Sequence, residues 1–218
     1  MWRMGHRMVM PGVFIDRIPI HDNGEILVDI KKNEQLFFSE ELKSCSEVLL
    51  RQGAYQRLQK AIEFLPEGCA LKVYGAYRSS QDQQKLWDTV YKKTKEQYPF
   101  NLEDDIVKKV MSICMNPKQG FGGNETGGAI DLTLCDLNGN EFDMGKSKYL
   151  DVGNLSVTFA DGLSHEQQQN RRLLYHTLID AGFQNDPNAW WHYSYGDRMW
   201  AAYQLKNKAI YGLVDKET

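Results

Sequence analysis

A single acidic residue, Asp131, interrupts an otherwise apolar strand pattern, Ala129-Ile130-Asp131-Leu132-Thr133-Leu134. Alternation puts Ile130, Leu132 and Leu134 on one face and Ala129, Asp131 and Thr133 on the other. A carboxylate in such a strand is costly to bury unless a cation or several donors satisfy it. A metal ion would do this, and so would a single arginine. Glycines at 120, 122, 123, 127 and 128 surround Asn124 just upstream. They read as a tight loop feeding the strand, one that lets backbone approach a ligand closely or that simply turns.

The rest of the chain supplies helices and short strands to cover this element. Gly12 to Ile15 and Ile26 to Ile30 read as extended. Apolar residues at Leu50, Ala54, Leu58, Ala61, Ile62 and Leu65 have helical spacing, so a helix is expected over 47–65, ended by Pro66 and Gly68. Residues 70–74 read as a strand. Ser80 with Gln83 is a capping-box signature opening a helix over 80–98, and a shorter helix is expected over 103–114. A second box, Ser164 with Gln167, opens a helix that ends before Gly182. Residues 190–195 read as a strand, Gly196-Asp197 as a turn, and 198–203 as its partner strand. This order argues for an α+β fold, and no glycine-rich nucleotide-binding unit is present.

Composition narrows the partners. A net charge of −3 gives no electrostatic case for nucleic acid or an anionic membrane surface. No apolar run approaches the roughly 18 residues of a membrane span. The first residues are basic, but no continuous apolar stretch follows them as in a secretory signal. Cys45, Cys69, Cys114 and Cys135 lack CxxC spacing and read as core thiols of a reducing compartment. A cytoplasmic location is expected, although a protein whose signal had been removed would read the same way.

Two further residues are candidates for chemistry. His192 lies in Trp190-Trp191-His192-Tyr193, where it is either a satisfied core histidine or a ligand, since neutral imidazole is the commonest zinc donor. Alternation places Ala189 on the opposite face from His192 unless the strand bends or begins there. Arg78, between a strand and a helix start, is either a surface residue or a donor fork for a carbonyl or carboxylate. His6, His21, His165 and His176 have no i,i+4 histidine partner.

Together these segments resemble the D-alanyl-D-alanine dipeptidase (VanX-type) zinc metallopeptidases from about residue 53 to 212. The family's Ser-x-His-x-x-Gly-x-Ala-x-Asp signature corresponds to residues 122–131, and its Glu-x-Trp-His signature to Ala189-Trp190-Trp191-His192. Tyr77-Arg78, Phe142-Asp143-Met144-Gly145, Asn170 to Leu174 and Tyr195 to Arg198 also match. The resemblance implies a single domain over 1–218, with 1–40 as an N-terminal extension packed on it. It implies a central antiparallel sheet with flanking helices, the DD-peptidase or Hedgehog-like zinc peptidase fold. One zinc would be held at positions 124, 131 and 192, and a glutamate at 189 would be the general base. Arg78 would polarise the scissile carbonyl of a D,D-dipeptide or similar small peptide. Asp151, with Asp143 behind it, is the candidate for the substrate ammonium. Gly122 stands where the family has a serine near the substrate carboxylate. Oligomeric state is not specified by the sequence.

Three positions depart from the pattern: Asn124 replaces a histidine ligand, Ala189 the base and Gly122 the serine. An asparagine is a poor zinc donor, and alanine has no proton to exchange. Three accounts follow: a dipeptidase carrying inactivating substitutions, a natural pseudoenzyme that binds a cell-wall-like peptide without cleavage, or an enzyme of different chemistry in the altered pocket.

Overall fold

The computed structural model describes residues 10, 12–111, 114, 122–145 and 154–214. In chain order the helices are α1 (Gly12–Asp16), α2 (Glu40–Ser44), α3 (Gln52–Glu63), α4 (Ser80–Gln97), α5 (Glu103–Met111), α6 (His165–Asp180) and α7 (Arg198–Tyr203). The strands are β1 (Leu27–Asp29), β2 (Leu36–Phe38), β3 (Leu49–Arg51), β4 (Ala70–Gly75), β5 (Ala129–Cys135), β6 (Gln184–Asp186) and β7 (Ala189–Ser194).

Five strands form the central sheet in the order β2-β4-β5-β7-β6. All its pairings are antiparallel except β2 with β4, which is parallel. The expected antiparallel centre is therefore present, with a parallel strand added at one edge. A separate pair, β1 with β3, is antiparallel.

Every residue of β5 is buried, as befits the middle strand of a covered sheet. Ile130, Leu132 and Leu134 join Leu58 and Ala61 of α3 and Leu174 and Leu178 of α6 in the main core. Each large apolar side chain buried there stabilises the fold by roughly 1.5–3 kcal/mol. α4 and α5 close a second, smaller core around Trp87, Val90, Ile106 and Val110. The residues before β1 run beside the C-terminal segment: His21 N–H donates to Ala209 O and Asn23 N–H to Ile210 O, each near 3.0 Å. No helix of the described residues is long and apolar enough to cross a membrane.

Several expected boundaries shift. Residues 49–51 are strand β3, and the helix expected over 47–65 begins only at Gln52, because Asp29 and Leu27 pair with Leu49 and Arg51. Residues 12–16 form a one-turn helix rather than an extended segment. Residues 198–203 are a helix, not a partner strand. Asp197 accepts from Trp200 N–H as an N-cap and commits the following turn to helical geometry. The cap of α4 is Ser79, whose hydroxyl accepts from Asp82 N–H, one residue earlier than the expected Ser80. The Ser164–Gln167 box opens α6 as expected.

Candidate active site

Three neighbouring strands bring the site together in one row. Gly75 of β4 pairs with Asp131 of β5, and Asp131 pairs with His192 of β7. Directly opposed residues in a sheet share a face, so the register alone sets Asp131 and His192 side by side. Glycine at 75 makes room for the carboxylate, since a methyl group there would lie 2.8 Å from Asp131 Oδ2.

The carboxylate is 1% exposed and is satisfied by protein groups. Its Oδ1 lies 2.7 Å from His192 Nδ1, and its Oδ2 lies 3.6 Å from Arg78 Nη2. Arg78 is fixed in turn: its Nη1 donates to Gln83 Oε1 at 2.8 Å, and its backbone N–H donates to Asn124 O at 3.1 Å. Burial is the largest influence on His192 and opposes its charge. The Asp131 contact, with the fields of Asp186 and Asp197, outweighs burial and holds the imidazole pKa above its ordinary value.

Asn124 sits on a 3-10 turn, Gly123–Thr126, that begins at Gly122 and ends at Gly127, where φ is 70°. Glu125 steadies the turn by accepting from Gly122 N–H, and Thr126 Oγ1 donates to Gly123 O while accepting from Gly128 N–H. Arg51 Nε donates to Thr126 O from below. The Asn124 side chain is buried, and its amide nitrogen donates to Ala76 O at 3.1 Å and faces Asp131 Oδ2 at 3.5 Å. It presents N–H donors, not a lone pair, to the carboxylate. Gly122 offers no side chain to a ligand at all.

At Ala189 the pairing of β7 with β6 departs from a regular register. Asn185 pairs with Tyr193, but the next residue, Asp186, pairs with Ala189, three residues away from its in-register partner His192. β7 begins at Ala189, and its pairing there is irregular, so strict alternation with His192 does not extend to it.

Two acidic residues near the site escaped the sequence reading. Asp197 is buried and accepts from Ser194 Oγ and Trp200 N–H at 2.9 and 2.7 Å; burial, the dominant influence, raises its pKa. Its signal was the Ser-x-x-Asp spacing at 194–197, which the reading had spent on a turn. Asp186 lies across from Ala189 and contributes to the field at His192. Of the candidates for the substrate ammonium, Asp151 lies outside the described residues. Asp143 accepts from Gly145 N–H and Gln167 Nε2, tying its loop to α6 instead of entering the row.

Among the described residues, no group of three or more His, Cys, Asp and Glu side chains is placed to hold a metal ion. Of the residues at 124, 131 and 192, Asp131 and His192 carry side chains of a zinc-binding type, and Asn124 turns its amide nitrogen toward Asp131.

Comparison with known proteins places these features in a family. A family model described as D-ala-D-ala dipeptidase matches residues 37–210. A protein of Synechocystis named D-alanyl-D-alanine dipeptidase is 28% identical, over 84% of this chain and 87% of its own length. One of Escherichia coli with the same name is 31% identical, over 66% of this chain and 65% of its own. Among solved structures, a mutant of the vancomycin resistance D,D-pentapeptidase VanY in complex with Zn(II) is similar with a TM-score of 0.48 and 16% identity, over 85% of this chain and 86% of that one.

Proposed function

The chain belongs to the D-alanyl-D-alanine dipeptidase family, and from that premise we propose that it binds a D,D-dipeptide or similar small peptide and hydrolyses it very slowly or not at all. The architecture is that of a zinc D-alanyl-D-alanine dipeptidase. Its residues do not fit the family's metal. Zinc takes four donors in structural sites, or three protein donors and water in catalytic ones. Asp131 and His192 are two.

The observation that carries the reading is the orientation of Asn124. Its amide N–H groups point to Ala76 O and Asp131 Oδ2. A histidine at this position would bring a lone pair; the asparagine brings hydrogens to the spot a cation would fill. Ala189 adds a second loss, since removing a general acid–base group costs on the order of 10²–10⁴-fold in rate. Weakened zinc binding and absent proton transfer compound each other.

Ligand recognition rests on what is retained. Arg78 is held by Gln83 and the Asn124 carbonyl, so its fork is positioned in advance. A cavity of about 430 Å³ opens beside it, lined by Leu42, Tyr74, Tyr77, Arg78, Leu86 and Val90. A cavity of that size takes a small peptide. All four cysteines are free thiols, which supports a cytoplasmic location.

The test is turnover of D-alanyl-D-alanine by the chain and by Asn124→His with Ala189→Glu, both supplied with zinc. The reading expects hydrolysis at least about 10²-fold faster in the double variant. Full family-like turnover by the unmodified chain would overturn it.

A further inference from the structure

We propose that Arg51 is a positioning residue of the site: it holds the turn that carries Asn124 and, through that turn, the backbone of Arg78. The part this hold plays in ligand binding rests on the reading that the chain binds a small peptide.

Strand β3 lies outside the central sheet, yet it touches both stretches of backbone that carry the site. Leu49 O accepts from Tyr77 N–H at 2.8 Å, next to Arg78, and Arg51 N–H donates to Gly127 O at 2.7 Å, where the Asn124 turn ends. The two stretches meet at one acceptor, since Arg78 N–H and Gly127 N–H both donate to Asn124 O at 3.1 Å. A shift of the turn therefore carries the backbone of Arg78 with it.

Three consecutive carbonyls of the turn are held by residues distant in sequence. Glu125 O accepts from Val214 N–H, Thr126 O from Arg51 Nε and Gly127 O from Arg51 N–H, at 3.0, 3.0 and 2.7 Å. Arg51 supplies two of these three bonds. Its fork is fixed at the far end: Nη1 and Nη2 reach Asp22 Oδ1 and Oδ2 at 3.3 and 2.8 Å, and Nη1 donates to Glu25 O at 2.6 Å. Asp22 Oδ2 also accepts from Gly212 N–H at 2.7 Å. The N-terminal and C-terminal segments thus meet at one guanidinium, and its Nε passes their hold to the turn.

A guanidinium that is buried is costly unless its donors are used. A rigid fork of N–H donors bonds Asp22, Glu25 O and Thr126 O at once; an ammonium on a flexible stem keeps the charge and loses that geometry. The turn also packs directly on this side chain, since a methyl group at Gly127 would lie 3.2 Å from Arg51 Cγ.

The experiment combines amide hydrogen exchange with calorimetric binding of D-alanyl-D-alanine, on the full chain and its Arg51→Lys and Asp22→Asn variants. Lysine retains a charge beside Asp22 and the backbone bond to Gly127 O, and loses the Nε bond to Thr126 O. In Arg51→Lys, exchange at Arg78 and Gly127 N–H should accelerate at least about tenfold more than exchange at Leu132 and Leu134 of β5, and the dipeptide should bind at least about tenfold more weakly. Asp22→Asn leaves Arg51 in place and weakens its anchor, so it should accelerate the same two amides by a smaller factor; it carries the test if Arg51→Lys does not fold. Acceleration at Arg78 and Gly127 no greater than at Leu132 and Leu134 makes Arg51 merely structural and overturns the assignment, as does unaltered dipeptide binding by Arg51→Lys. Failure of the unmodified chain to bind the dipeptide overturns the peptide-binding reading instead, and the selective acceleration at Arg78 and Gly127, or its absence, then upholds or overturns the hold of Arg51 on the site.

Discussion

His192 Nδ1 lies 2.7 Å from Asp131 Oδ1, so the two side chains hold each other across the neighbouring strands β7 and β5. The contact explains how a buried carboxylate and a partly buried imidazole coexist in the middle of a sheet, where the carboxylate alone would be costly.

The pair should reveal itself in titration. Burial opposes the imidazolium most strongly, and the Asp131 hydrogen bond and charge reverse the balance, so His192 titrates above 6.5 in the metal-free chain. A folded pKa above the unfolded value means the pair's contribution to stability is fully present below about pH 6.5 and is lost as pH rises through the folded pKa. NMR titration of the imidazole should report the raised value. In Asp131→Asn, burial dominates and the value should drop below that of an exposed histidine.

The N-terminal segment should respond to acid. Asp22 is raised by burial but lowered further by Gly212 N–H, Gly24 N–H and the Arg51 charge, for a net depression. Glu25 follows the same direction: burial raises it, while Tyr211, Gly53 N–H, Asn23 and Arg51 lower it further. Depressed folded values stabilise above the unfolded pKa and cease to do so as pH falls through the folded one. Amide exchange at Asn23 and Gly212 should therefore accelerate below about pH 4. Asp22→Asn should weaken the same segment at neutral pH by about 1–3 kcal/mol, because it leaves the nearly buried Arg51 without its bidentate partner.

Gly128 has no room for a side chain. A methyl group there would lie 2.3 Å from Tyr195 O and 2.8 Å from Tyr211 Cδ2. The carbonyl cannot retreat freely, since Tyr195 N–H donates back to Gly128 O at 2.9 Å. Gly128→Ala should cost about 1–3 kcal/mol, read as a lower urea midpoint, and should loosen the turn that carries Asn124.

Arg171 should be the most sensitive charged residue of the core. It is 1% exposed, and burial brings its pKa down to about 10. Its guanidinium donates to three carbonyls, Met144 O, Val157 O and Leu155 O. Arg171→Met fills the volume but strands those acceptors, so the expected loss is at least about 3 kcal/mol, measured by denaturant unfolding.

Much of the site could be read before the fold was known, because its chemistry violates the local pattern. Asp131 stood out as a charge in an apolar strand, and the structure gives it the cation the sequence demanded, Arg78, along with His192. The capping box at Ser164 was legible because its signal is wholly local. What failed depended on partners distant in sequence. Residues 49–51 left their helical pattern because β1, some twenty residues earlier, offered a strand to pair with. Residues 198–203 looked like a hairpin arm until Asp197 was seen to cap them. Asp186 was overlooked, because its pairing with Ala189 rests on a three-residue register shift that no periodicity encodes.

The central claim is that this dipeptidase site has lost its hold on zinc. Its most direct measure is metal stoichiometry: load the chain with one equivalent of zinc, dialyse, and count bound metal by mass spectrometry beside the Asn124→His variant. The account predicts zinc well below one per chain in the unmodified protein and close to one in the variant. One zinc per chain retained by the unmodified protein would contradict it.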